Sequence, residues 1–437
     1  MLLQTELFDT LRRTPDSLGE LSQFIDTAWI EEAVHATGKA SIRRRKLPAE
    51  HVVWLVIGLA LFRNQPIWHV VQQLNLVLGE ESSFCAPSAT VQGRQRLGDE
   101  PLRHLFQMVA RAWGAEPIAL PNKLKELEIL AVDGVVWSAP DTESNRQGLG
   151  CCANQQGPGA WPQVRAVCLM RTDSHELLDA RIGGMSEGEL TLAAGLQPPD
   201  QSLTIFDRAY FSAAFLVNWQ SSGQNRHWLT RAKDNLRHEV VTTYGQGDDL
   251  ISMPVSPRAR KLHPQLPERW TARLIEVELA GKKRRFITSL CDAKAYPARK
   301  LAELYRRRWE IELGFREIKQ SLQMSEFVLR SKQPDLVRQE LWGVLIAYTL
   351  IRRQMRKMAE HLHVPPERMS FHTASIAIIG ILRFAPLESA GTLPKQLAQL
   401  FEQAAIYVLP PRRERSLPRV VKYRPHKYPK KRQSALN

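Results

Sequence analysis

Three carboxylates and one basic helix carry the chemistry open to this sequence. Asp133 closes the apolar run Ile129–Val132, and Asp207 closes the run Ser202–Phe206. Aspartate is disfavoured in strands, so two apolar runs that each end in one can present both side chains to a single cation. Taken singly, either residue also reads as a turn starter or a helix cap. The third acid is set apart by helical geometry. Residues 305–319 read YRRRWEIELGFREIK. With Tyr305 as zero and about 100° per residue, Arg308 falls near roughly −60°, Glu312 near roughly −20° and Lys319 near roughly −40°. Arg316 and Trp309 flank that stripe, whereas Glu303, Glu310 and Glu317 fall on another face. A solvated helix laced with ion pairs also carries many charges, but here one carboxylate stands framed by phosphate-seeking cations. Metal-assisted phosphodiester chemistry asks for that arrangement. Two Asp and one Glu offer oxygen ligands to two Mg²⁺ ions. One ion activates the attacking hydroxyl and the other stabilises the leaving oxygen. Arg308 and Lys319 then hold the DNA backbone in line.

The elements that position these groups follow from periodicity. The first 120 residues read as helices at Gly19–Thr37, Leu47–Arg63, Ile67–Leu78, Ser88–Leu97 and Pro101–Trp113. Ser88 is expected to cap the fourth, which carries Arg94 and Arg96. Arg43, Arg44 and Arg45 lie between the first two. A helix-turn-helix with Ser88–Leu97 as reader is one possibility, and a plain bundle with a basic surface is the other, since the connection is longer than the usual turn. On the first reading, replacing Arg94 and Arg96 by Ala weakens specific end binding more than general DNA binding. From Leu127 the pattern changes to strands ending at Asp133 and spanning Gln163–Met170, Leu177–Ile182 and Ser202–Phe206. Helices are expected at Leu190–Leu196, with Ser186 and Glu189 at capping-box spacing, and at Phe211–Trp219. This order predicts a mixed α/β sheet. Residues 226–291 read as a β-rich insertion with strands at His227–Thr230, Glu239–Tyr244, Leu250–Val255, Trp270–Leu279 and Arg284–Leu290. One helix is expected from Arg299 to about Met324, then others at Asp335–His361, Phe371–Arg383 and Pro394–Ala405.

Composition narrows the partners. The 437 residues carry 60 Lys and Arg against 45 Asp and Glu, a net charge of +15, with 43% apolar residues. The chain is therefore not wholly disordered, and its basic excess calls for a polyanion or an anionic surface. Residues 408–437 alone hold ten Lys or Arg and one acid, so they read as an extended tail that touches phosphates. The longest apolar runs, Val52–Phe62 and Leu341–Ile351, fall well short of the roughly 20 residues a bilayer needs. The start lacks the layout of a signal peptide. Five cysteines without a CxxC pair argue against a disulfide framework or a zinc site. A reduced, cytoplasmic, nucleoid-associated protein is expected.

Tyr305, Arg308, Glu312 and Lys319 fit the spacing Y-(2)-R-(3)-E-(6)-K. In this the chain resembles the insertion sequence four family of bacterial DDE transposases. Asp133-Gly134 and Asp207-Arg208-Ala209-Tyr210-Phe211 resemble that family's first two catalytic motifs, separated by 74 residues, with 105 more to Glu312. The Arg43–Leu47 and Pro87–Leu97 stretches and Arg412-Arg413-Glu414-Arg415 are also similar. The resemblance implies a helical N-terminal DNA-binding domain (1–120) and an RNase H-like mixed-sheet catalytic core (125–225 and 292–330). It also implies a β-strand insertion (226–291), a helical C-terminal region (331–407) and a basic tail (408–437). It implies cut-and-paste transposition of a bacterial insertion sequence, with Asp133, Asp207 and Glu312 as ligands of two Mg²⁺ (or Mn²⁺) ions. Tyr305, Arg308 and Lys319 would contact phosphates near the cut. Double-stranded DNA, as terminal inverted repeats and as target, is the implied partner, bridged by a homodimer.

Other residues admit two readings. Arg165 and Arg208 could touch phosphate or be ordinary surface arginines, whereas Arg316, beside the Glu312 stripe, is expected to bind DNA. Trp270 and Phe286 could hold a flipped base or fill the insertion's core. Trp137, Trp161, Trp219 and Trp342 read as core, and Cys151 and Cys152 sit in a Gly-rich loop. Ala209 stands where the family motif has Gly, which matters if that turn needs a positive φ. Two rivals stay open at this stage: an RNase H-like nuclease or resolvase without strand transfer, and a catalytically dead DNA-binding inhibitor.

Overall fold

Among the described residues, helices come first and a mixed sheet follows. The computed structural model describes residues 24–40, 47–74, 76, 86–118, 123–154, 157–279, 281–324, 328–384 and 392–410. Arg43, Arg44, Arg45 and the basic tail from residue 411 lie outside them. Five helices precede the sheet among the described residues: α1 (Thr27–Ala36), α2 (Ala49–Leu61), α3 (Ile67–Gln73), α4 (Pro87–Leu97) and α5 (Glu100–Gly114). Asp26 caps α1 by accepting a hydrogen bond from the Ala28 N–H at 2.9 Å. Prolines stand in the first turns of α4 and α5, where a missing N–H costs nothing. Ser88 lies within α4 rather than capping it, because Pro87 already opens that helix.

The sheet region then runs β1 (Lys123–Leu124), β2 (Leu127–Ser138), α6 (Glu143–Leu149), β3 (Cys151–Asn154), β4 (Gly157–Arg171), β5 (Leu177–Gly184), α7 (Glu189–Ala194) and β6 (Ser202–Phe206). A 3₁₀ turn at Arg208–Tyr210 leads into α8 (Ala213–Ser221), β7 (Arg226–Arg231), β8 (Glu239–Gly245), β9 (Asp248–Pro254), α9 (Pro257–Leu262), β10 (Arg269–Leu279) and β11 (Lys282–Thr288). The strands form one mixed sheet in the order β3-β4-β2-β6-β7-β11-β10-β9-β8, with β1 on β2 and β5 on β4. Pairing is parallel where β6 meets β2 and β7. All five residues of β6 are buried, as a parallel strand covered on both faces demands. The strands of residues 226–291 extend this same sheet outward. Cys151 and Cys152 belong to β3, whose pairing with β4 replaces the expected loop.

Period-two alternation sorts β2 onto two faces. Ala131, Val135 and Trp137 pack with the helices that follow the sheet, whereas Leu130 and Val132 pack with α7 and α8. Those following helices are α10 (Ala298–Leu304), α11 (Trp309–Arg316), α12 (Pro334–His361), α13 (Phe371–Phe384) and α14 (Thr392–Glu402). The 28-residue α12 is buried on nearly all sides, against α2, α5 and α13, and so ties the N-terminal helices to the sheet. No helix among the described residues is long and apolar enough to cross a membrane.

Candidate active site

Asp133 does not end its strand. It lies inside β2, opposite Cys168 of β4, and that pairing carries the strand on to Ser138. What ends at this level is β6, whose last residue, Phe206, pairs with Val132. Asp207 therefore follows directly beside Asp133, at the open end of β6. Asp207 Oδ1 also accepts from the Ala209 N–H at 3.1 Å, capping the 3₁₀ turn.

The single helix expected from Arg299 to about Met324 is four segments. After α10 the backbone tightens into a 3₁₀ turn at Tyr305–Arg308, relaxes into α11 and widens into a π segment at Glu317–Leu322. A uniform rotation per residue therefore misplaces the ends of the stripe. Arg308 and Glu312 remain one turn apart and meet at 2.8 Å.

The Arg308 guanidinium also lies 3.7 Å from Asp133 and 3.8 Å from Asp207, and it stacks over the Trp309 ring at 4.5 Å. Three carboxylates remote in sequence thus gather around one cationic group. As they stand, no three acidic, His or Cys side chains among the described residues are arranged to hold a metal ion, since the guanidinium stands between them. The donor set still suits a hard divalent cation, being three carboxylates already drawn to positive charge. Burial pushes the Asp133 carboxyl up to about 6; Arg308 and the Gly134 N–H oppose the rise, and Glu189 and Glu312 add to it.

The other expected DNA contacts divide. Arg316 is exposed and lines a cleft with Lys300, Arg306, Trp309 and Glu312. Arg208 is exposed and pairs with Asp234 at 3.1 Å. Arg96 is exposed on α4. Tyr305 is buried, its ring against Phe286 at 5.1 Å, and burial raises its hydroxyl to about 12. Lys319 is half-buried and donates to the Val136 carbonyl at 2.8 Å. Arg94 points inward, contrary to the DNA-facing expectation. It is 6% exposed and donates to Gln339, Ser331 and the Leu336 carbonyl. Its helical position faces α12, which the N-terminal pattern alone does not reveal. Trp270 and Phe286 are core residues, while Trp161, expected in the core, is 52% exposed.

Two features escaped sequence reasoning. Glu189 is not the partner of a capping Ser186, for Gly188 is the cap of α7. Its carboxylate instead accepts from the Tyr210 hydroxyl at 2.6 Å. Second, the face of α11 away from Arg308 is pinned by buried ions. His175 meets Glu310 at 3.1 Å, Glu317 at 3.5 Å and Arg352 of α12 at 2.7 Å, and Arg352 in turn pairs with Glu317. The off-stripe position of Glu310 and Glu317 was the available signal, and it marks a protein-facing side rather than a solvated one.

Residues 15–107 match the insertion element 4 transposase N-terminal family, and residues 124–350 match the transposase DDE domain. The transposase InsG for insertion sequence element IS4 of Escherichia coli (strain K12) is 41% identical over 426 residues, 97% of this chain and 95% of that protein. The putative transposase InsZ of the same strain is 34% identical over 232 residues, 52% of this chain and 76% of that protein. Among solved structures, the piggyBac transposase synaptic complex with hairpin DNA covers 95% of this chain and 89% of that one, at 11% identity and a TM-score of 0.41.

Proposed function

The chain belongs to the insertion element 4 family of DDE transposases, and from that premise we propose that Asp133, Asp207 and Glu312 hold two Mg²⁺ (or Mn²⁺) ions for cut-and-paste transposition. The protein is a DNA-cleaving transposase that depends on a divalent metal. A nuclease without strand transfer and an inert inhibitor are not favoured by that membership. The observation that carries the proposal is the convergence of the three carboxylates on the Arg308 guanidinium.

Ions bound there would activate the attacking hydroxyl and stabilise the leaving oxygen. The protein's own groups do the rest. Arg308 swings from the carboxylates to a DNA phosphate, which its planar fork suits. Arg316 and Arg208 reach the backbone from the rim of the site, and Lys319 does so if it leaves the Val136 carbonyl. Tyr305, buried against Phe286, backs the site from inside and does not reach the phosphate. We read residues 125–225 and 292–330 as an RNase H-like core, 226–291 as its insertion, 331–407 as the helical C-terminal region and 408–437 as the basic tail. We read residues 1–120 as the DNA-binding domain, with Arg96 and Arg43–Arg45 as its phosphate contacts. The partners are terminal inverted repeats and target DNA, bridged by a homodimer at the nucleoid in the cytoplasm.

The test uses purified protein, Mg²⁺ and a duplex carrying the element's own end, resolved on a denaturing gel beside Glu312→Gln. Cleaved and joined products that vanish in the variant support the reading. Joined products that persist in the variant overturn Glu312 as a ligand, and cleavage without joining overturns the cut-and-paste step.

A further inference from the structure

Glu189 lies against the backbone at the Asp133–Gly134 step. A Cβ placed on Gly134 would sit 2.5 Å from the Glu189 carboxyl carbon and within 2.9 Å of both its oxygens. The carboxylate thus fills space that only glycine leaves open. Tyr210, itself 2% exposed, donates to Oε1 at 2.6 Å and fixes the group there. Oε2 has no hydrogen-bond partner among the described residues, and no basic side chain among them pairs with Glu189. The two motifs thus share one cradle: Gly134 follows Asp133 and makes the room, and Tyr210 follows Asp207 and supplies the tether.

The sheet makes this approach possible. Asp133 and Gly134 point to opposite faces of β2, toward Arg308 and toward α7. β6 stops beside Val132, so among the described residues no strand screens that edge of β2 between Asp133 and the bridge from Ser138 to Val328. A carboxylate on the α7 side can therefore act at the same open end as Asp133, and its charge is among those that push the Asp133 carboxyl up.

We propose that Glu189 is a fourth carboxylate of the active site, held beside Asp133 to share the charge of a divalent cation. This rests on the reading of Asp133, Asp207 and Glu312 as metal-holding groups. Two divalent ions carry more charge than three carboxylates balance, and Arg308 widens that gap for as long as it stays in place. A fourth carboxylate narrows it.

The test is Mn²⁺ binding to the full-length chain without DNA, read by calorimetry, with the thermal midpoint in EDTA as the control for folding. Glu189→Gln keeps the size of the side chain and an oxygen that can accept from Tyr210. It should leave the midpoint in EDTA unchanged and weaken Mn²⁺ binding by about tenfold or more, the usual scale for groups that support a metal site. Gly134→Ala should weaken Mn²⁺ binding likewise, by displacing Glu189. If Asp133→Asn loses Mn²⁺ while Glu189→Gln binds as the unsubstituted chain does, Glu189 is structural and the inference is overturned, with the three-carboxylate reading intact. If Asp133→Asn binds normally, or the unsubstituted chain takes up no Mn²⁺, both fall.

Discussion

The guanidinium of Arg308 lies 2.8 Å from the carboxylate of Glu312, in the position a cation would take among the three acids. Its side chain is only 7% exposed, so it is a counter-ion built into the fold. Without it, the carboxylates of Asp133, Asp207 and Glu312 face one another with no opposite charge between them. Arg308→Ala should therefore melt below the unsubstituted chain in EDTA, and Mn²⁺ should narrow the difference. The variant should also bind Mn²⁺ more tightly, by about tenfold, since a competing positive charge within about 4 Å is gone. DNA cleavage should fall with the lost phosphate contact. Melting curves of both proteins with and without Mn²⁺ decide it; a gap that stays constant means that metal and guanidinium do not compete.

The resemblance leads to an expectation of glycine at position 209, and the backbone of Ala209 answers whether the alanine matters. It lies inside the 3₁₀ turn Arg208–Tyr210, and it is not among the described non-glycine residues with positive φ. Ala209→Gly should bring no gain in cleavage and should lower stability by about 0.5–1 kcal/mol, the entropic cost of glycine. A clear rise in cleavage by the variant would mean that the alanine strains the turn.

Much of this was legible in the sequence because it rests on local spacing. The run Ser202–Phe206 coincides with β6, and Arg308 and Glu312 meet because four residues make one helical turn. What was not legible depends on partners far along the chain. Asp133 reads as a strand end until β4 is seen to carry the ladder past it. Glu189 reads as half of a capping box until Tyr210, 21 residues on, claims its carboxylate. Arg94 reads as a DNA contact until α12, more than 200 residues later, covers it.

Arg94 and Arg96 should accordingly separate in experiment. Arg94→Ala removes the donor from Gln339 Oε1, Ser331 Oγ and the Leu336 carbonyl and should cost about 1–3 kcal/mol in urea unfolding. Arg96→Ala removes an exposed group and should leave stability within about 0.5 kcal/mol while weakening DNA binding. Salt-dependent binding to a duplex supplies the second readout. Unchanged stability in Arg94→Ala would contradict its role as a brace between α4 and α12.

Glu317 gives the pH dependence. Burial alone would raise its carboxyl, but Arg352 and His175 outweigh that and hold it down to about 2, against an ordinary glutamate near 4.5. A carboxyl depressed in the folded state favours folding above the unfolded value, and that contribution is lost as pH falls through the folded value. The stabilisation should therefore be fully present above about pH 4.5 and fade toward pH 2. Glu317→Gln leaves Arg352 buried without its counter-ion and should cost about 3–5 kcal/mol at pH 7. Urea unfolding of both proteins from pH 7 downward checks this, with the gap between them holding to about pH 4.5 and then closing. A gap that widens on acidification would reverse the sign and show that Glu317 is not the charged partner of Arg352. The same ion pairs fix α11 to α12 from behind, so Glu317→Gln should also loosen Glu312 and lower cleavage at neutral pH, even where the chain stays folded.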